Sequence, residues 1–167
     1  HRATDGGGVT TVGHGNYLMA YVHVAHNCRI GNGVIVANAT ELAGYVEVED
    51  YAMVSGLCPV HQFVRIGSHS MIAGGYRVPK DVPPYCLAAG DPLRVHGLNI
   101  VGLKRHNFSK ETLHILKEAY RILFRSRLNT SQALQKIKNG LPQIEEIEHL
   151  TRFIELSERG VIKGADL

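Results

Sequence analysis

Reading every sixth residue from Val12 gives Val12, Leu18, Val24, Ile30, Val36, Leu42, Val48, Val54, Val60, Ile66, Ile72 and Val78, all of them Val, Ile or Leu. A period of six fits neither an amphipathic helix nor an alternating strand. It is the signature of a parallel β-helix, in which each hexad supplies one short strand and one turn. Three hexads close a triangular coil, and the aliphatic anchor points into the prism. The flanking positions agree. Small residues follow the anchors (Gly13, Ala25, Gly31, Ala37, Ala43, Ser55, Gly67, Ala73), and small or β-branched ones stand four places on (Cys28, Val34, Thr40, Val46, Ala52, Cys58, Val64, Ser70). Right-handed crossovers are the general rule for parallel strands, so spacing alone does not set the hand. The hexad pattern itself points to the left-handed form.

The fold expected is therefore mainly β with an α appendage: a left-handed parallel β-helix over residues 1–83, with a loop extruded at about 4–8 where TDGGG breaks the pattern. Residues 12–83 make four coils of eighteen. After Lys80-Asp81-Val82-Pro83-Pro84 the hexads stop, and residues 84–107 read as a connecting loop. A helical domain is expected over 108–167. Ser109 caps a helix to about Arg125, with Leu113, Leu116, Ala119, Tyr120 and Leu123 on one face. A second helix is expected from about Ser131 to Lys138, stopped by Gly140, and a third from Pro142 to about Ser157. The chain opens without an initiator Met, in what reads as mid-structure, as a piece of a longer protein would.

Composition narrows the function classes. With 167 residues, 44% of them hydrophobic, the chain can bury a core and is not intrinsically disordered. No apolar run is long enough for a transmembrane helix, and the start lacks the layout of a secretory signal. Cys28, Cys58 and Cys86 are odd in number and lack C-x-x-C spacing, which argues against a disulfide framework or a zinc ribbon and favours a reducing cytoplasm. A net charge of +3 is too weak to imply nucleic acid. The charge is uneven, however. Residues 102–127 are rich in Lys and Arg against only Glu111 and Glu118, a face that would suit an acidic partner.

Residues eighteen apart stack on adjacent coils, about 4.8 Å apart. This stacks His26, Gly44 and Gln62, with His61 beside Gln62, Tyr45 after Gly44 and His23 just before His26. A neutral imidazole can accept a proton near pH 7, and a glycine leaves its N–H open to a developing oxyanion. The stack holds no Ser or Cys nucleophile. That favours direct attack by a substrate hydroxyl over a covalent acyl-enzyme. Two other readings stand beside it: turn histidines that merely cover the surface or an oligomer contact, and a metal held by His23, His26 and His61. The second lacks a carboxylate to orient the ligands, since Asn27 stands in its place.

The strings HVAHNC, VHQF, DVPPY, GLNIVGLKR and the closing ERGVI resemble the UDP-N-acetylglucosamine O-acyltransferase family of lipid A synthesis, over nearly the whole chain. The resemblance implies a homotrimer with active sites between adjacent prisms, and no cofactor or metal. It implies an (R)-3-hydroxyacyl donor on acyl carrier protein and the 3-hydroxyl of UDP-N-acetylglucosamine as acceptor. His26 matches the general base and Gly44 the oxyanion-stabilising glycine. His23, His61 and Gln62 match residues around the sugar and diphosphate, and Tyr45 stands on the same edge. Asn99 and Arg105 match nucleotide contacts in the 84–107 segment, and Gly74 the position that sets acyl length. The helix bearing Lys110, Lys117 and Arg121 would suit the acidic carrier.

The chain departs from the family pattern at four positions. Asn27 replaces a common Asp, Tyr45 a His, Val101 a Glu and His106 an Arg. A carboxylate at 27 would hold the imidazole and raise its basicity. These departures keep two alternatives in view: a 3-amino UDP-sugar acceptor, and a non-catalytic trimeric scaffold that binds the carrier.

Overall fold

A computed structural model describes residues 1–4 and 8–165, so most of the loop expected at 4–8 lies outside the described residues. Eleven two-residue strands follow one another at the hexad spacing: β1 Thr11–Val12, β2 Tyr17–Leu18, β3 His23–Val24, β4 Arg29–Ile30, β5 Ile35–Val36, β6 Glu41–Leu42, β7 Glu47–Val48, β8 Met53–Val54, β9 Pro59–Val60, β10 Arg65–Ile66 and β11 Met71–Ile72. Every strand ends on its aliphatic anchor. The strands stack in parallel into three faces, β1-β4-β7-β10, β2-β5-β8-β11 and β3-β6-β9. The register is the eighteen-residue coil: Arg29 lies opposite Glu47, and Glu47 opposite Arg65.

The anchors from Ile30 to Val78, with the inward positions Cys28, Val34, Val46, Ala52, Cys58 and Val64, form one continuous buried core. Thr40 and Ser70 sit in that core because their hydroxyls donate to backbone carbonyls, Thr40 to Ser55 at 2.6 Å and Ser70 to Gly67 at 2.7 Å. A buried hydroxyl without such a partner would cost about 1–3 kcal/mol. The prism turns its edges with left-handed backbone. Tyr21, Ala39 and Leu57 mark one edge, Tyr51, His69 and Tyr85 a second, and Asn27, Tyr45 and Phe63 the third, all at φ between 55° and 66° apart from His69 at 54°.

Between residues 84 and 107 the structure differs from the connecting loop expected there. The prolines break the hexad spacing, but the hydrogen-bond ladder continues. Val78 bridges Val60, and Val82 bridges Ile66. A strand β12, Cys86–Ala89, then pairs in parallel with β11, Met71 against Leu87. A second strand in that chain stretch, β13 at Arg94–Leu98, turns back antiparallel and ends the sheet. A short helix α1, Ile100–Arg105, follows.

Three longer helices complete the chain. Helix α2, Lys110–Arg125, starts at the expected Ser109 cap, whose hydroxyl accepts from the Thr112 N–H, and it buries Ile115, Leu116, Ala119 and Tyr120. Helix α3, Thr130–Gly140, opens on a capping box between Asn129 and Gln132. Helix α4, Glu145–Glu155, begins after Pro142 rather than at it. The intervening Gln143 amide donates to the carbonyls of Ile137 and Leu141, closing the end of α3 first. The chain then returns to the prism. Asp81 donates to Gly160 O and accepts from Ile162 N, while its carboxylate accepts from Arg65 N and Ser157 Oγ.

Candidate active site

His26, Gly44 and Gln62 fall on the prism edge between the third and first faces. Tyr45 N donates to His26 O at 3.0 Å and Phe63 N to Gly44 O at 3.1 Å, which fixes the stack from the backbone. The His26 ring lies directly over Gly44: a Cβ on residue 44 would stand 2.6 Å from its Cε1 and 2.8 Å from its Nε2. Only a residue without a side chain admits the ring there. The Gly44 N–H has no acceptor among the described residues.

The His26 ring is also held from its other side. Nδ1 is 2.9 Å from Asn27 Oδ1 and 3.3 Å from Thr4 Oγ1. The Thr4 N–H donates to the same Asn27 oxygen at 3.3 Å. That oxygen carries no proton, so the neutral ring bears its hydrogen on Nδ1, and Nε2 keeps the lone pair. Tyr45 packs edge-on to His26, with ring centroids 5.4 Å apart, and stacks on Phe63 at 4.9 Å. Asn27, Tyr45 and Phe63 line one end of a groove of about 970 Å³ that runs across the first face, past Arg29, Glu47 and Arg65, to Arg159.

The other residues singled out in the sequence lie apart from this edge or at its margin. His61 adjoins Gln62 and its Nδ1 contacts the Gln62 carbonyl at 3.1 Å. His23 is exposed on the third face, in register with Glu41. Among the described residues no group of three His, Cys, Asp or Glu is placed to hold a metal ion, so the His23–His26–His61 arrangement does not form. Asn99 and Arg105 belong to a different edge, between the first and second faces. Asn99 caps α1, accepting from Gly102 N and donating to His69 O, while Arg105 is exposed in the last turn of that helix. Gly74 lies on the remaining edge, above Gly56. One chain thus carries its candidate residues on all three edges.

Sequence reasoning missed Thr4, which lay in a segment read only as a loop, and the ring cluster beside Asn99. There Tyr51, His69, His106 and Phe108 lie within 5.0 Å of one another along the His69 contacts. Burial, then the neighbouring His106, pushes the His69 imidazole down to about 4. The spacing of Tyr51 and His69 by eighteen was a usable signal for this cluster; His106 and Phe108, from another element, gave none.

A slot of about 330 Å³ opens between β13 and α2, lined by Val95, Leu98, Phe124 and the cations Lys117, Arg121 and Arg125. These three cations belong to the 102–127 run, and Glu118, which pairs with Arg121 at 2.6 Å, lines the slot with them. No described helix is long and apolar enough to cross a membrane.

A family model described as "Udp N-acetylglucosamine O-acyltransferase; Domain 2" matches residues 81–162, and a bacterial transferase hexapeptide model matches 10–44. The acyl-[acyl-carrier-protein]–UDP-N-acetylglucosamine O-acyltransferase of Thermodesulfovibrio yellowstonii is 53% identical over 164 residues, covering 98% of this chain and 64% of the relative. Its namesake from Burkholderia orbicola is 41% identical, covering 93% and 61%. A solved UDP-N-acetylglucosamine acyltransferase from Bacteroides fragilis superposes with a TM-score of 0.88 at 47% identity, over 89% of this chain and 58% of that one. The Francisella novicida enzyme gives 0.90 at 38% identity, over 95% and 58%. The chain therefore spans somewhat under two thirds of the length of these relatives.

Proposed function

Because this chain belongs to the UDP-N-acetylglucosamine O-acyltransferase family, matching relatives over nearly all its length, we propose that it moves a 3-hydroxyacyl group from acyl carrier protein to the 3-hydroxyl of UDP-N-acetylglucosamine in the cytoplasm. The observation that carries the reading is the His26 ring over Gly44 with its Nε2 lone pair free. His26 Nε2 takes the proton of the sugar hydroxyl as its oxygen attacks the thioester carbonyl carbon. The negative charge that develops on the carbonyl oxygen is met by the Gly44 N–H. Collapse of the tetrahedral intermediate breaks the C–S bond and leaves the ester. The carrier thiolate then takes the proton from the His26 imidazolium, so acid and base balance at one residue.

The separation of the candidate residues supports a homotrimer. Asn99 and Arg105 sit on one prism edge and His26 on another, so a sugar nucleotide touching both sets needs two copies of the chain. His23, three residues before His26, and His61 and Gln62, at the Gln62 level of the same stack, are the side chains assigned to the sugar and diphosphate. Tyr45 supplies an aromatic wall where the family commonly has an imidazole. The basic slot at Lys117, Arg121 and Arg125 suits an acidic carrier protein.

The test is transfer from 3-hydroxyacyl carrier proteins of several lengths to UDP-N-acetylglucosamine, with its 3-amino analogue in parallel. Ester product on the first acceptor is expected. Amide product alone would shift the acceptor to the amino sugar, the alternative that exposed Val101 and His106 at the nucleotide helix favour. Carrier binding and an intact trimer without product would leave a scaffold.

A further inference from the structure

We infer that His149 is a positioning residue for the sugar nucleotide: from helix α4 it holds the Tyr85 turn on which Asn99 and helix α1 hang. This rests on the reading above that Asn99 and Arg105 meet the nucleotide. Tyr85 grips α1 at both ends. Its carbonyl accepts from the Asn99 N–H at 2.8 Å, just before the helix, and its ring packs edge-on to Phe108, just past it, with centroids 5.9 Å apart. Asn99 is fixed further by its own side chain, which donates to His69 O at 3.0 Å and accepts from Gly102 N at 3.2 Å. The His69 ring in turn stacks on Tyr85 at 6.1 Å. Where Tyr85 stands therefore sets where α1 starts and where its last turn, with Arg105, comes to lie.

Tyr85 is 4% exposed, and its hydroxyl lies 2.8 Å from His149 Nδ1. The opposite ring nitrogen, Nε2, stands 2.9 Å from Glu49 Oε2. A carboxylate only accepts, so Nε2 carries its hydrogen toward Glu49, and the neutral ring takes the phenol hydrogen at Nδ1. Burial raises the Tyr85 phenol above its ordinary range, which keeps that hydrogen in place. Glu49 is anchored to the prism in its own right: Oε2 accepts from Ser68 N at 2.9 Å, and Oε1 pairs with Arg65 at 3.7 Å. His149 thus bridges a fixed carboxylate and the Tyr85 hydroxyl. An open hollow of about 510 Å³ lies beside the bridge, lined by Glu145 and Glu146 from the start of α4. There α4 reaches the edge through a side chain and not through close packing. Without the imidazole the phenol is left to Ser68, whose hydroxyl already contacts it.

The experiment measures kcat, and KM separately for UDP-N-acetylglucosamine and for the acylated carrier protein. His149→Ala and Tyr85→Phe should each raise the KM for the sugar nucleotide about fivefold, the scale of one hydrogen bond. The kcat and the KM for the carrier should stay close to the parent. The double variant should raise the nucleotide KM no further than either single one, because both remove the same bond. His149→Gln should recover most of the parent's KM, since its amide can donate to Glu49 and accept from Tyr85. Arg105→Ala separates the two readings. An unchanged nucleotide KM in that variant would overturn the nucleotide assignment itself. A raised KM there, with parent-like values in both His149→Ala and Tyr85→Phe, would overturn only this inference. So would a double variant whose effect is the product of the singles, or a loss that falls equally on the carrier KM.

Discussion

The imidazole of His26 occupies the space a side chain on Gly44 would need, with Cε1 2.6 Å from the position of a Cβ there. The ring is the far end of a flexible side chain, so it can move aside without disturbing the coil. Gly44→Ala should therefore leave the fold intact and displace the base from its site. We expect kcat/KM to fall about a hundredfold, the scale of losing one preorganised transition-state contact, with circular dichroism and the thermal midpoint close to the parent. Equal losses of activity and of stability would place Gly44 in the fold instead.

Asp81 links the two halves of the chain. Its carboxylate is 1% exposed and accepts from the Arg65 N–H at 2.9 Å and the Ser157 hydroxyl at 2.7 Å. Asp81→Ala strands both donors in a buried site, and should cost about 2–4 kcal/mol in urea unfolding. Asp81→Asn keeps one acceptor oxygen and should cost less. Equal costs for the two substitutions would show that the carboxylate contacts are not what holds the tail segment.

How much of this could be read in advance depends on the element. The prism was legible because the hexad obliges an aliphatic residue at each coil position, and Ile30, Val36, Leu42 and Val48 are all buried. The His26–Gly44–Gln62 edge was legible for the same reason, since the coil length alone stacks those three. The strand β12 was not. Two prolines shift its spacing, and only the backbone ladder to β11 shows that the sheet continues. The left-handed turns at Tyr45 and Phe63 left no trace either, because aromatic residues do not favour that conformation and are placed there by the stack. Thr4 reaches His26 through tertiary contact, which no local pattern encodes.

His69 gives the protein an acid-sensitive contribution to stability. Burial and the nearby His106 depress its imidazole from 6.5 to about 4, against a smaller opposing pull from Asp50. The unfolded chain therefore takes a proton at a pH where the folded one does not, and stability from this residue falls as pH drops from about 6.5 to 4. His69→Phe preserves the ring stack on Tyr51 and should flatten the thermal midpoint across that window. A parent-like slope in the variant would assign the acid sensitivity to other groups.

The cysteines should be inert in the folded protein. Cys28, Cys58 and Cys86 are all 0% exposed, and burial pushes the Cys86 thiol up to about 12 and the Cys28 thiol upward. Thiolate, the reactive form, is scarce in both. A thiol-reactive disulfide reagent should label none of the three under native conditions and all three in denaturant. Rapid native labelling accompanied by loss of transfer would reopen a covalent thiol route.

Gly74 tests the acyl-length proposal most directly. It is exposed on the edge between the second and third faces, with ordinary φ, and a Cβ there would meet Gly56 O at 3.2 Å and Ser55 Cβ at 3.6 Å. Those contacts require a shift of only a few tenths of an ångström, so Gly74→Met should fold and place its side chain out along the prism edge. If that edge bounds the acyl groove in the trimer, a four-atom side chain removes room for about as many chain atoms. At about 0.8 kcal/mol for each methylene left unburied, the preferred donor should shorten and discrimination against the parent's best chain should rise about tenfold or more. The measurement is kcat/KM across a series of 3-hydroxyacyl carrier proteins. An unshifted optimum with a normal thermal midpoint would move the limit on chain length to another residue.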